Sequence, residues 1–300
     1  MSSSLAVSVV IATYNRANFL PATIDSVLSQ KFQNFELIVV DDGSTDNTRQ
    51  VLEPYSSRIR YFYQENMGPS AARNMGARQA NAPWVAIQDS DDLCASNHLE
   101  TLYGYVKNHP QIGMVFANGK YLGGPEHNRE TIIPAKKSRR LARMGVQLAD
   151  LFENSIVRLQ ASLISKEAYD SLGGHDESLW ICMDLDLAFR LFMNFPVTYL
   201  EDAVFYYRKH DGNIGRNDDL RLTENIGVIQ KLLRDYPAAK KVLGGRRVHK
   251  RLAYRYYRLA KGRRKRNDPK GASDAIRKAV SIYPLSLKYR IYQHHWTSDA

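Results

Sequence analysis

The chain has 300 residues, of which 44% are hydrophobic and 24% charged, and its formal net charge is +11. That length suits one large α/β domain with a modest appendage, because single cores stop growing near about 250–300 residues, and the composition is that of a folded protein. Two cysteines, Cys94 and Cys182, exclude a disulfide framework, fit a reducing compartment and read as packing residues.

The opening "MSSSLAVSVVIATYN" lacks the basic region and the long apolar stretch of a signal peptide. No later run approaches the roughly 20 apolar residues of a membrane span. The expectation is a soluble cytoplasmic chain whose membrane contact, if it has one, is peripheral, at the inner face of the plasma membrane.

In chain order, residues 7–11 read as a buried strand, and Leu20, Ile24, Val27 and Leu28 then recur at helical spacing with Pro21 in the first turn. "ELIVV" at 36–40 is a second strand, ending in "DDGSTDNT", whose small polar residues supply turns and caps. A third strand at 59–63 leads through "QENMGPS" into the helix "AARNMGARQA". A fourth at 84–87 precedes a helix over 97–108, and 112–117 makes a fifth strand. This alternation implies right-handed βαβ crossovers, a mostly parallel sheet with helices on both faces, and a ligand beyond the carboxyl ends of the strands.

Residues 119–147 carry Gly, Pro, Lys and Arg with little periodicity and read as a mobile basic excursion. Regularity returns at 156–165, in a helix over 185–193 and in "AVFYYR" at 203–208. Beyond about 217 the pattern is helical and basic, punctuated by Pro237 and Pro284. "GASDAIRKAVSIYP" at 271–284 resembles half a tetratricopeptide unit, which cannot bury its own face and so must pack on the main domain or on a partner.

The chemistry concentrates where apolar strands run into acid. In "WVAIQDSDDLCAS", Asp89 and Asp91 are two residues apart and share one side of an extended strand end, whereas Asp92 points the other way. Carboxylates crowded at a strand end are costly without a compensating cation, so the pair suits a hard divalent ion and a sugar hydroxyl. Read structurally instead, Ser90 and Asp92 cap the following helix. "VVDDGSTD" places Asp41 and Asp42 at what should be the same edge of the sheet; a plain β-turn is the alternative reading.

Together, "VSVVIATYNRANFLPATIDSVLSQKFQNFELIVVDDGSTDNT", "GPSAARNMGA" and "QDSDD" resemble the nucleotide-sugar-binding half of the family 2 inverting glycosyltransferases, which adopt the GT-A fold. The resemblance is dense over 7–93 and looser to about 212. It implies a GT-A domain over 1–215, with a donor half at about 1–120 and an acceptor half at about 121–215, followed by a basic helical region over 216–300. It implies that Ala12, Thr13 and Tyr14 lie beside the nucleotide, that Asp41 and Asp42 contact the base, and that Arg73 lies against the nucleotide. Asp89 would sit near the ribose with Ser90 beside it, and Asp91 would bind Mg²⁺ or Mn²⁺ at the diphosphate. "WICMDLDLAFRL" resembles the family's ED motif and assigns the base that deprotonates the acceptor hydroxyl to Asp184, with Met183 in place of the usual Glu. "YYRKHDGN" resembles the closing segment, in which a histidine, here His210, reaches the metal or diphosphate.

Other residues of the second half read from helix geometry. Asp186 and Arg190 are spaced for an i,i+4 ion pair, and Trp180 can wall the acceptor. His98, His109, His127, His175, His249, His294 and His295 show no metal-ligand spacing.

The resemblance implies a nucleoside-diphosphate sugar donor, UDP-linked by family frequency, and a glycan or lipid-linked acceptor. Two other functions fit parts of the sequence less well. "RRVHKRLAYRYYRLAKGRRKR" would suit nucleic acid through basic and aromatic side chains, but an acidic cleft repels polyanions and no RNA- or DNA-binding motif spacing is present. A nucleotidyltransferase would carry a Gly-rich loop after the first strand, where this chain reads "ATYNRANF". The C-terminal basic helices instead suit docking on an anionic membrane, with Arg251, Arg255 and Arg258 at helical spacing and Tyr254 and Tyr257 at the interface.

Overall fold

The computed structural model describes residues 5–122, 131–154 and 156–297. The chain divides into two compact units, Met1–Gln147 with Ile156–Asp211, and Leu148–Ser155 with Gly212–Ala300.

The first unit is an eight-stranded mixed sheet in the order β3-β2-β1-β4-β7-β6-β8-β5. In chain order its elements are β1 (Val7–Thr13), α1 (Leu20–Leu28), β2 (Phe35–Asp42), α2 (Thr48–Leu52), β3 (Arg60–Gln64), α3 (Pro69–Arg78), β4 (Trp84–Asp89), β5 (Leu93–Cys94), α4 (His98–Val106), β6 (Met114–Leu122) and α5 (Ala135–Met144). The helix α6 (Leu148–Asn154) clusters with the second unit; β7 (Ser162–Ser165), α7 (Lys166–Ser171), α8 (Met183–Asn194) and β8 (Val197–Arg208) complete the first.

The first four strands of that order pair in parallel, whereas β7 runs antiparallel to both β4 and β6. In β1, Val7, Val9, Val10 and Ile11 are all buried on alternating sides, as expected where helices cover both faces. Leu20, Ile24 and Val27 of α1 turn one stripe to the core. The small residues of α3 let it lie close on β1 and β2: a Cβ on Gly76 would come within 2.3 Å of Val10 Cγ1. The register sets Ala12 beside both Val40 and Asp89, and Thr13 beside Asp41, so the carboxyl ends of β2, β1 and β4 line up along one edge.

Two expectations about the second half change. Residues 119–122 continue β6, paired with β8 across register shifts at Ala117/Asn118 and Asn118/Gly119, and 135–144 form α5, anchored by buried Ser138 and Leu141. The low periodicity over 135–144 reflects a short amphipathic helix whose outer face is almost wholly basic, while 123–130 of the expected excursion lie outside the described residues. The long strand β8 also carries its end past β5, with Leu93 opposite Tyr206 and Cys94 opposite Phe205. That pairing ties the chain leaving β8 to the turn that leaves β4.

The second unit is helical: α6, then α9 (Asp218–Asp235), α10 (Pro237–Leu243), α11 (Gly245–Lys265), α12 (Pro269–Ile282) and α13 (Leu287–Thr297). Asn217 and Asp268 cap α9 and α12 through their side chains, and proline opens α10 and α12. The tetratricopeptide-like stretch lies in α12 and finds its partner inside the unit. Ala272, Ala275, Ile276 and Ala279 are buried, as are Leu252, Ala253, Leu259 and Ala260 of α11, the helix on which α12 packs. No helix among the described residues is long and apolar enough to cross a membrane.

Candidate active site

At the edge formed by β1 and β2, the two acidic residues are held by donors from the following turn, from β3 and from the chain that leads into α3. Asp41 accepts from the Ser44 N–H at 2.9 Å and from the Tyr61 hydroxyl at 3.1 Å. Asp42 accepts from Gln64 Nε2 at 2.7 Å and from the Met67 and Gly68 N–H groups at 2.9 Å each. Burial pushes the Asp42 carboxyl up, against the pull of those hydrogen bonds. These bonds shape the wall: Asp42 fixes the entry to α3 at Gly68, whose φ of +92° suits glycine and whose Cα faces the Trp180 ring. Thr13 is buried with its Oγ1 lacking a hydrogen-bond partner among the described residues, and Tyr14 is exposed. Asn15, left-handed at φ +51°, clasps the neighbouring loop by accepting from the Thr45 N–H at 2.7 Å.

The acidic turn after β4 lies next along this edge. Ligand oxygens of Asp89, Asp91 and Asp92 all fall within 4.8 Å of one another. This corrects the expectation for Asp92. The extended strand stops at Asp89 and the chain turns, so Asp92 does not point away and does not cap α4, whose N-cap is Asn97. Asp92 is fully buried, accepts the Arg208 N–H at 2.8 Å from the end of β8 and leaves Oδ2 with no partner among the described residues. Burial, with Asp89 beside it, holds its carboxyl well above the usual range. Ser90 is buried and its carbonyl accepts from Thr23 of α1. Asp91 meets Arg16 at 3.5 Å and His210 Nε2 at 2.9 Å, and the His210 ring lies 4.5 Å from that of Phe19.

Arg73 of α3 is the hinge of the site. Its buried guanidinium gives one nitrogen to Asp89 Oδ1 at 2.5 Å and another to Asp184 Oδ1 at 3.0 Å. Gln160, in the turn before β7, donates to the other Asp89 oxygen. Burial raises the Asp89 carboxyl in spite of Arg73. For Asp184 burial pulls upward too, but the positive charge of Arg73 outweighs it and holds the carboxyl below its ordinary value. Asp184 sits in the first turn of α8, where the helix dipole also favours an anion. It is therefore an ionised carboxylate with a side chain 24% exposed, buried enough to be oriented and open enough to meet a ligand.

The fold thus joins Arg73, Asp89 and Asp184 in one contact chain, joins Asp91 to His210, and lays Ala12 beside Asp89 and Thr13 beside Asp41. Asp186 is committed to Arg190 at 2.6 Å, as its spacing suggests. Met183 is buried against Ser70, with Sδ 3.0 Å from the hydroxyl. Trp180 is 43% exposed. Cys94 and Cys182 are free and buried. His98 is buried and pushed down to about 4 by desolvation, while His127 lies outside the described residues. Three residues that no motif singles out also stand in the site: Arg16, Gln160 and His175, whose Nε2 is 3.8 Å from Asp184. The available signals were a basic residue directly after β1, a polar residue in an apolar stretch before β7, and a histidine following two glycines.

The model of glycosyl transferase family 2 matches residues 8–173. The chain belongs to that family. Streptococcus pneumoniae GlyG is 41% identical to it over 105 residues, 34% of this chain and 35% of GlyG. An uncharacterized glycosyltransferase of Rickettsia typhi is 29% identical over 208 residues, 68% of this chain and 64% of that protein. The matched stretch is only 18% of a Rickettsia bellii relative, so the chain spans a minor part of several of these proteins. Among solved structures, S. aureus TarS in complex with UDP-GlcNAc has a TM-score of 0.68 at 19% identity, covering 98% of this chain and 88% of that one. The Pyrobaculum calidifontis mannosyltransferase PcManGT in complex with GDP-Man and Mn²⁺ has a TM-score of 0.63 at 19% identity, covering 99% and 85%. The curled mixed sheet with its helices is the GT-A fold, followed by C-terminal helices.

Proposed function

We propose that this glycosyltransferase moves a sugar from a UDP-linked donor to a hydroxyl of a glycan or lipid-linked acceptor, with inversion at the anomeric carbon. The observation that carries the reading is Arg73, which fastens Asp89 on the donor edge and Asp184 on α8 to one guanidinium. The ionised Asp184 takes the acceptor proton as the hydroxyl attacks from the side opposite the diphosphate, as a general base does in a single displacement. Its lowered affinity for protons keeps it ready, and Arg73 holds it in place. Asp89, turned between Arg73 and Gln160, positions the donor's ribose, while Thr13 and Tyr14 line the nucleotide. The exposed face of Trp180 walls the acceptor.

The acidic turn fits a divalent cation. Three carboxylates crowd within 4.8 Å, and a buried Asp92 oxygen has no partner among the described residues. Asp91 and His210 would hold Mg²⁺ or Mn²⁺, which when bound supplies Lewis-acid stabilisation of the departing diphosphate. The GDP-Man and Mn²⁺ bound by PcManGT and the UDP-GlcNAc bound by TarS support a metal-assisted nucleotide-sugar site.

Residues 1–215 form the catalytic domain in this proposal, and the basic helices dock it on the cytoplasmic face of an anionic membrane. The docking set differs from the one the sequence suggests. Tyr257 is buried, stacked on Tyr289 at 5.2 Å, and Arg251 is half-buried. Exposed Leu285, Leu287 and Ile291, with Lys288 and Arg290 among them, are the better membrane face.

A thermal-shift screen of nucleotide sugars tests the donor, because a ligand that binds only the folded state raises the melting temperature. A UDP-sugar should raise it with Mn²⁺ and do so far less in Asp91→Asn; no shift from any nucleotide sugar would refute the reading.

A further inference from the structure

His175 is fully buried behind the base and belongs to none of the motifs above. It follows Gly173 and Gly174, both left-handed at φ +76° and +69°. The turn is packed so closely that a Cβ on Gly174 would lie 2.4 Å from Asn74 Oδ1 and 2.8 Å from Tyr169 Cε1. Both neighbours hold the histidine. Asn74, the residue after Arg73, donates Nδ2 to the His175 carbonyl at 2.9 Å and to Glu177 at 2.8 Å, and its Oδ1 accepts the His175 N–H at 2.8 Å. These bonds settle which end of the amide is oxygen.

That assignment fixes the protons of the imidazole. Tyr169 Oη lies 2.7 Å from Asn74 Oδ1 and 2.7 Å from His175 Nδ1. An amide oxygen can only accept, so the single hydroxyl hydrogen of Tyr169 points to Asn74. The hydrogen between Tyr169 and His175 must therefore sit on Nδ1. Burial, with Arg73 and Arg190 nearby, pushes the ring toward its neutral form, against the pull of Asp184. A neutral ring protonated on Nδ1 presents a bare lone pair at Nε2. Among the described residues Nε2 has no hydrogen-bond partner, and it faces Asp184 Oδ1 at 3.8 Å, beyond the roughly 3.2 Å limit of an N–H···O bond. Two lone pairs standing off account for that gap.

We propose that His175 is a positioning residue for the base, its Nε2 lone pair held opposite Asp184 to receive a hydrogen bond from the carboxyl once Asp184 has taken the acceptor's proton. The inference rests on Asp184 acting as that base. In the transfer step the acceptor O–H bond breaks and its proton goes to Asp184. The acceptor oxygen bonds to the anomeric carbon, and the bond to the diphosphate breaks with its electron pair on the leaving group. Before the step Asp184 is an acceptor only, and Arg73 satisfies it. After it, the carboxyl carries a hydrogen that Arg73 cannot accept, and Nε2 is the buried acceptor placed for it. The contact strengthens only as the proton moves, so it favours turnover over ground-state binding.

Two measurements on the full chain test this. Long-range ¹H–¹⁵N NMR of histidine should show His175 protonated on Nδ1 with a bare Nε2 in the wild-type protein. Tyr169→Phe, which removes the partner of Nδ1, should move the proton to Nε2, where it meets Asp184. In steady-state kinetics, His175→Phe should lower kcat about tenfold or more, a share of the about 10²–10⁴ that a general base supplies, with the donor KM changed less than about twofold. His175→Gln, whose amide oxygen can accept, should recover part of that loss. A wild-type ring protonated on Nε2, or an unchanged kcat in a folded His175→Phe, would overturn the proposal. Should the wild-type protein transfer no sugar at all, the functional reading fails by that result, and the NMR spectrum still decides the tautomer by itself.

Discussion

The edge to which we assign the donor and the edge to which we assign the base, both in the first unit, hold similar residues by different means. Along β2, β1 and β4, the site residues stand where parallel strands end, and the register alone sets Ala12 beside Asp89 and Thr13 beside Asp41. On the other side, Asp184, His175 and Gln160 come from a helix start and two turns. They are held by side chains reaching over from α3 and β4: Arg73 to Asp184, Asn74 to His175, and Gln160 to Asp89. The donor edge is built by backbone, which tolerates side-chain change. The base edge is built by side chains, and a single substitution can undo it.

The sharpest way to break that contrast is Arg73→Met. Removing one partner of a buried ion cluster leaves uncompensated charge and costs about 3–5 kcal/mol, which urea melts would measure. Any Arg73→Met protein that folds should also show a shifted pH profile. Arg73 holds the Asp184 carboxyl down, so without it the group protonates at higher pH and the acid limb of kcat moves upward. The wild-type limb should fall below the usual carboxylate value of about 4.

Chelation is expected to act next most strongly. Excess EDTA should reduce transfer on the order of a hundredfold, with recovery on adding Mn²⁺ or Mg²⁺, because neither Arg16 nor His210 replaces a divalent charge beside Asp91. Full activity in chelator would remove the metal from the account. Smaller still is Gly76→Ala, where the new Cβ meets Val10 on the donor edge; overpacking there should cost about 1–3 kcal/mol in a denaturant melt. Gly104→Ala closes the series. Nothing lies within 4 Å of a Cβ at that exposed position of α4, so the change should stabilise the fold by about 0.5–1 kcal/mol.

The same contrast governs what the sequence disclosed. Strands that end in Asp41, Asp42 and Asp89 announce themselves, because apolar runs meeting carboxylates are a local pattern. Asp184 is legible only through the likeness of "WICMDLDLAFRL" to a family motif. His175 and Gln160 leave only faint local signals, since their roles depend on contacts across 101 and 71 positions of separation, with Asn74 and with Asp89. Asp92 was misread for a related reason: alternation along a strand assigns it the far side, and the turn that begins at Ser90 cancels the alternation. The basic stretch over 135–144 concealed a helix because only Ser138 and Leu141 are buried in it, too few to mark a period. In the C-terminal helices, Tyr257 was assigned to an interface by spacing alone, and the partner that buries it, Tyr289, lies beyond a proline.

The most direct test of the whole account is Asp184→Asn, assayed for donor binding and for transfer on the same preparation. The account predicts a folded protein that binds the UDP-sugar with Mn²⁺ as the wild type does, while transfer falls about 10²–10⁴-fold. Transfer at the wild-type rate in Asp184→Asn would contradict it.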